Sequence, residues 1–296
     1  MYLFPQSIAA AYPSSEAGLN VRHVLLTRFN LATTGRERAL RDDPAWLADR
    51  FDLFERYCLP SVASQTDDRF DWMIFFDEHT ADWARGRIEQ AQRIVPFHAV
   101  FTPMFGGDGW GRFTRLLVGP PVLERFIVTS NLDNDDGLAV DYVARIHAAV
   151  AASRFAPTPY AINFAQGVVL CGGARYLHRH LSNAFTNLVE ADGPAIRTAN
   201  TIRHMELKRH VPVIQDDGPP AWLQVVHGGN VSNRARGRLL RFLEPDRFPE
   251  AVLGPPAHIP LWRLVLENGI LSPARTARDA AAQIYRRFRP AHRIAG

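Results

Sequence analysis

The sequence is poor in cysteine and almost empty of lysine. Its two cysteines, Cys58 and Cys171, lie far apart in segments that read as a helix and a strand, so buried thiols are expected rather than a disulfide or a metal site. Lys208 is the only lysine, and arginine supplies the rest of a basic balance of +4. No run approaches the ~18 apolar residues of a membrane span. The start, MYLFPQSIAAAYP, lacks the basic region and apolar stretch of a signal peptide, so a cytoplasmic protein is expected. Glycines crowd Phe105 to Gly111, FGGDGWG, but no Gly-Lys-Ser/Thr follows, which excludes a phosphate-binding P-loop. There are no internal repeats and no low-complexity segments.

What is present fits a soluble α/β protein. The 296 residues, 47% hydrophobic and 22% charged, suffice for one large domain with an appendage. After a loose arm over residues 1–20, His23 to Phe29 reads as a strand. Pro44 then opens a helix with Trp46, Leu47, Phe51, Phe54 and Leu59 at helical spacing. Asp71 to Glu78 is a second strand, Asp82 to Ile94 a helix, and Phe97 to Thr102 a third strand. This alternation predicts an α/β sheet with right-handed crossovers. Residues 21–234 form the main domain. From 235 to 296 alternating arginines and leucines, then prolines and a last helix over Ser272 to Phe288, predict a basic helical appendage.

The chain is organised around Glu124 to Gly137, ERFIVTSNLDNDDG. Phe126 to Thr129 is a buried strand, and it empties into Asp133, Asn134, Asp135 and Asp136. Carboxylates crowded at a strand end repel one another, and a hard divalent cation between Asp133 and Asp135 offsets that repulsion. A polar turn with an aspartate capping a helix over Leu138 to Ala152 is the alternative. An EF-hand loop fails, because alignment on Gly137 puts Leu132 and Val143 where that motif needs an Asp and a Glu. Arg112 and Arg115, on a helical stretch before the strand, are candidates to meet phosphates. His227 closes the apolar run Ala221 to His227 ahead of two glycines; it faces a cleft or serves the core. The basic balance suits nucleotide diphosphates or anionic lipid head groups, and no nucleic-acid motif is present.

HVLLTRFN, LFERYCLPSVASQTDDRFDWMIFFDE, the strand ending LDNDD, and AWLQVVHGGN resemble the bacterial putative rhamnosyltransferase family, a branch of the GT-A glycosyltransferases, over residues 21 to 233. The resemblance implies a GT-A-like, mostly parallel sheet flanked by helices. It also implies sugar transfer from a nucleotide-diphosphate donor, such as deoxythymidine-diphosphate rhamnose, to a glycan or glycolipid. Asp133 and Asp135 would hold Mn²⁺ or Mg²⁺, with His227 as a late ligand. Arg28, Asp77, Arg112, Arg115 and Asp133 would bind the donor. Where the family pattern has an arginine before Leu-Asp-x-Asp-Asp, this chain has Asn131. An inverting transfer needs a carboxylate base. Glu190 is the first candidate, Asp192 the second, and Asp216 with Asp217 the reserve. The basic appendage packs back on the core, the favoured reading, or docks on an anionic membrane face.

Overall fold

The computed structural model describes residues 19–31, 43–103, 107–227, 235–243, 246–278 and 281. The expected N-terminal arm, the loop before Asp43, the two glycines after His227 and the end of the last helix therefore lie wholly or largely outside the described residues. In chain order the elements are β1 (Asn20–Arg28), α1 (Pro44–Leu53), α2 (Leu59–Ala63), β2 (Asp71–Asp77), α3 (Asp82–Ile94), β3 (His98–Thr102), α4 (Gly109–Val118), β4 (Arg125–Asn131), β5 (Gly137–Leu138) and α5 (Tyr142–Ala152). They continue with β6 (Tyr160–Phe164), β7 (Gln166–Cys171), β8 (Ala174–Arg179), β9 (Asn187–Ala191), α6 (Leu207–His210), β10 (Val213–Asp216), β11 (Trp222–Val226), β12 (Arg238–Leu240), α7 (Glu250–Leu253) and α8 (Leu261–Leu266). A π turn, Phe54–Cys58, joins α1 to α2.

The main sheet has seven strands in the order β10-β6-β9-β4-β1-β2-β3. β9 alone runs against its neighbours, β4 and β6, so β1, β2, β3, β4, β6 and β10 all point the same way. This is the expected α/β architecture of a mixed, mostly parallel sheet flanked by helices. Alternation along the central strands sorts side chains to two covered faces. Leu25, Trp72, Ile74 and Val128 pack with Phe51 and Phe54 and with Ile88 and Ile146 of α3 and α5. Val24, Leu26, Met73, Phe75 and Ile127 pack under Val118 of α4. Cys58 is buried and Cys171 half-buried, and both thiols are free.

A second sheet, β12-β8-β7-β11-β5, lies beside the first. It accounts for two departures from the sequence reading. The segment Tyr160 to Cys171 is two strands, divided at Ala165, because β6 pairs with β9 and β10 while β7 pairs with β8 and β11. The helix expected from Leu138 begins at Tyr142, because Gly137 and Leu138 pair with Leu223 and Trp222 of β11. Close packing fixes one glycine here. A Cβ on Gly167 would stand 2.0 Å from the Trp222 ring. The boundary expected at 234/235 falls between β11 and β12, and β12 pairs with β8.

Candidate active site

β4 sits at the centre of the main sheet, and its C-terminal end opens into the acidic turn. The turn is fixed from several sides. Asn131 bonds through its backbone N–H to Thr186 and through its side chain to Ala184, and Leu132 N–H reaches Leu26 of β1. Asn134 Nδ2 donates to the Phe29 carbonyl at 3.1 Å, and Asp136 N–H closes the turn on the Asp133 carbonyl. Asp136 Oδ1 accepts from Val225 N–H of β11 at 2.8 Å. Gly137 lies under α2, where a Cβ would stand 3.4 Å from Ser61.

Asp135 is the hub. Its Oδ2 accepts from Arg50 Nη1 and faces His227 Nε2, each at 2.9 Å, and all three side chains are largely buried. Burial pushes the Asp135 carboxyl up, but the His227 hydrogen bond and the Arg50 charge outweigh it and hold the group below its usual range. Asp136 lies the other way, well above the carboxylate range, through burial and then repulsion from Asp135 and Asp133. Burial, and after it the three aspartates, also pushes the Cys58 thiol up, so it is inert. Sequence reasoning missed Arg50. It lies on α1, 85 positions before Asp135, and no local pattern links the two.

The acidic turn carries Asp133 and Asp135, and His227 meets Asp135 there. Their donor types suit a hard cation, since Mg²⁺ and Mn²⁺ are commonly held by one or two carboxylates, with water and substrate phosphates completing the shell. Asp133 is half-buried. Asp135 and His227 turn toward each other, and among the described residues no group of three His, Cys, Asp or Glu side chains forms a complete cage. What the turn offers is two carboxylates and an imidazole committed to one of them, short of an all-protein metal site.

Beside this turn the ends of β1 and β2 and the start of α1 enclose a cleft of about 220 Å³ lined by Asn30, Pro44, Asp77, Thr80 and Trp83. Asn30 Oδ1 accepts from Asp77 N–H at 3.1 Å, and Asp77 Oδ1 accepts from His79 N–H at 2.9 Å. Asn30 is a second wall residue that the sequence reading did not single out. Its signal was a polar residue directly after an apolar strand. Arg28 is exposed at the same strand end, and Arg112 is exposed on the first turn of α4.

Other candidates lie elsewhere. Because β9 is antiparallel, it carries Glu190 and Asp192 away from the acidic turn. Glu190 sits opposite Ile127, about 13 Å down the strand from Asn131 at the usual rise per residue. It is buried, accepts from Arg197 and Thr198 N–H groups, and burial raises its pKa. Asp192 lies at the opposite end of the sheet, its side chain fully buried between Arg115 and Arg125. Arg115 is thereby committed to Asp192 and to the Gly119 carbonyl, so its expected role with the donor is corrected to a structural one. The expected loop mouth at Glu190 and Asp192 is corrected in the same way. β10, in contrast, is parallel to β4 and delivers Asp216 and Asp217 to the acidic end. Asp216 is buried against Arg145 at 3.0 Å. Asp217 is partly exposed beside Arg179 at 2.8 Å.

The fold is a mixed, mostly parallel α/β sheet with an acidic turn at the end of its central strand. The chain belongs to the family described as Putative rhamnosyl transferase, whose profile it matches over residues 22–239. No curated protein matches it in sequence. Among solved structures it resembles S. aureus TarS 1-349 in complex with UDP, with 10% identity and a TM-score of 0.39, over 70% of this chain and 60% of that one. It also resembles S. aureus TarS at 11% identity and a TM-score of 0.35, over 70% and 37% of the two chains. The inositol-1-phosphate CTP transferase of T. maritima is similar at 10% identity and a TM-score of 0.31, over 70% and 89%. The chain thus spans about 60% of the TarS 1-349 fragment.

Proposed function

We propose that this protein moves a sugar, rhamnose by its family, from a nucleotide-diphosphate donor to a glycan or glycolipid acceptor, and that it does so with Mn²⁺ or Mg²⁺. The observation that carries the proposal is the meeting of Arg50 and His227 on Asp135 in the acidic turn at the end of β4, next to the cleft walled by Asn30 and Asp77. The cleft takes the nucleoside, with Asp77 accepting from a ribose or base donor. The diphosphate lies toward the acidic turn, where Asp133 and Asp135 hold the metal.

The bound metal supplies positive charge next to the leaving diphosphate. The chain's own groups do the rest. Arg50 and His227 fix the rotamer of Asp135, so the turn is preorganised. Arg28 and Arg112 add cationic hydrogen-bond donors for the diphosphate. Asp217 accepts the proton of the attacking acceptor hydroxyl, as an accessible carboxylate that the sheet polarity brings to this end on the side away from the nucleoside cleft. Arg179 stands beside it at 2.8 Å.

A thermal-shift titration against nucleoside diphosphates, with and without Mn²⁺, tests the donor site. Ligand near 100-fold its Kd should add about 2.7 kcal/mol to the apparent stability, and only with metal present. No shift with any nucleotide would reject the proposal.

A further inference from the structure

The helix that starts at Leu261 is built inside out. It runs as α8, continues through a π turn at Glu267–Leu271, and stays helical to residue 278. Its inward face is mostly polar. Asn268 exchanges hydrogen bonds with both backbone groups of Leu239 at 2.7 and 3.0 Å, and Ser272 Oγ donates to the Gly237 carbonyl at 2.8 Å. Glu267 is buried and pairs with Arg275, and Leu264 is the inward leucine, half-buried against the main core. The apolar side chains point the other way. Leu261 is 62% exposed, Trp262 68%, Val265 70% and Ile270 61%. Spacings of three, four and eight residues from Trp262 or Leu261 put much of this set on one stripe.

A soluble helix does the opposite, so this stripe needs a cover. Charge identifies it. Residues 235–296 hold eleven arginines against five acidic residues, a net +6 in a chain whose total is +4, so the preceding 234 residues are net negative. The positive charge of the molecule and its exposed apolar stripe are thus on the same segment, with Arg263 next to Trp262. Tryptophan with leucine, valine and isoleucine on one side, in a segment rich in arginine, suits the boundary between head groups and acyl chains.

We infer that the exposed stripe of Leu261, Trp262, Val265 and Ile270 docks the protein on a bilayer surface bearing anionic head groups. The inference is independent of the reading of the acidic turn. The stripe lies in the plane of the surface and does not span it, since no helix among the described residues is long and apolar enough to cross a membrane.

The test is co-sedimentation of the full chain with vesicles of phosphatidylcholine alone and of phosphatidylcholine with phosphatidylglycerol. The wild type should partition onto the anionic vesicles, and added salt should weaken it by screening. The double variant Trp262→Asp, Val265→Asp should lose at least about tenfold in partitioning. Both positions are exposed, so its unfolding midpoint should match the wild type and a folding defect can be recognised. A variant that binds as well as the wild type overturns the inference, as does equal binding to both vesicle types. So does a wild type that ignores vesicles and dimerises through the stripe, with the double variant monomeric.

Discussion

Arg50 Nη1 stands 2.9 Å from Asp135 Oδ2, with the two side chains only 10% and 11% exposed. A buried charge that loses its partner remains buried and uncompensated, which typically costs about 3–5 kcal/mol. Arg50→Met should therefore lower stability by about that much in urea unfolding, although its methylene packing is largely retained. Asp135→Asn in the Arg50→Met background should recover a good part of the loss. Additive losses in the two variants would show that the residues do not act as a pair.

The Asp192 prediction separates a structural carboxylate from a catalytic one. Asp192 accepts from Arg115 Nη2 at 2.6 Å, Arg125 Nε at 2.7 Å and Val122 N–H at 2.9 Å. Asp192→Asn leaves two arginines facing a neutral group and should cost about 3–5 kcal/mol of stability. Its kcat and KM, measured on the folded fraction, should stay at wild-type values. A large loss of kcat with normal stability would contradict this placement.

The base is tested by its own pair of variants. Asp217→Asn should reduce kcat by about 10²- to 10⁴-fold while leaving the donor KM near normal. Glu190→Gln should keep kcat within a few-fold, since Glu190 bonds to backbone N–H groups of Arg197 and Thr198 on the far part of β9. The reverse pattern would show that the assignment by sheet polarity is wrong.

Histidines set the pH response. His23 is buried, and desolvation, followed by repulsion from His147, holds its pKa well below the usual 6.5. Desolvation and then His180 and Arg236 push His178 down to about 4. Below pH 6.5 these histidines take up protons in the unfolded chain that they refuse in the folded one, so their contribution to stability falls as pH drops from 6.5 toward 4. Each such histidine contributes a slope of about 1.4 kcal/mol per pH unit in that window, and none above it. His178→Asn should flatten urea-unfolding stability against pH across this range. An unchanged slope would remove His178 from the account.

Much of this was legible because it is local. The strand expected over His23 to Phe29 is β1, Asn20–Arg28, and the helix expected over Asp82 to Ile94 has those bounds, because apolar periodicity is written residue by residue. The acidic turn was legible for the same reason. Sheet direction is not local. Nothing in NLVEA says that β9 runs against β4, and that one reversal moves Glu190 and Asp192 away from the site. The Arg50 contact was equally hidden, since a long-range pair leaves no spacing pattern. In the appendage the arginines and leucines were plain in the sequence, but only the packing of Asn268 and Ser272 onto the β12 segment shows which side faces out.

The most direct test of the central claim is an assay for nucleoside diphosphate released from nucleotide sugars, with deoxythymidine-diphosphate rhamnose included, in the presence of Mn²⁺ or of a chelator. Asp133→Asn is the variant to use, because Asp133 is half-buried and the substitution keeps the backbone carbonyl that accepts from Asp136 N–H in the turn. The account predicts release only with the metal and a loss of about 10²-fold or more in the variant. Release of pyrophosphate instead, or equal turnover with the chelator and in Asp133→Asn, would contradict it.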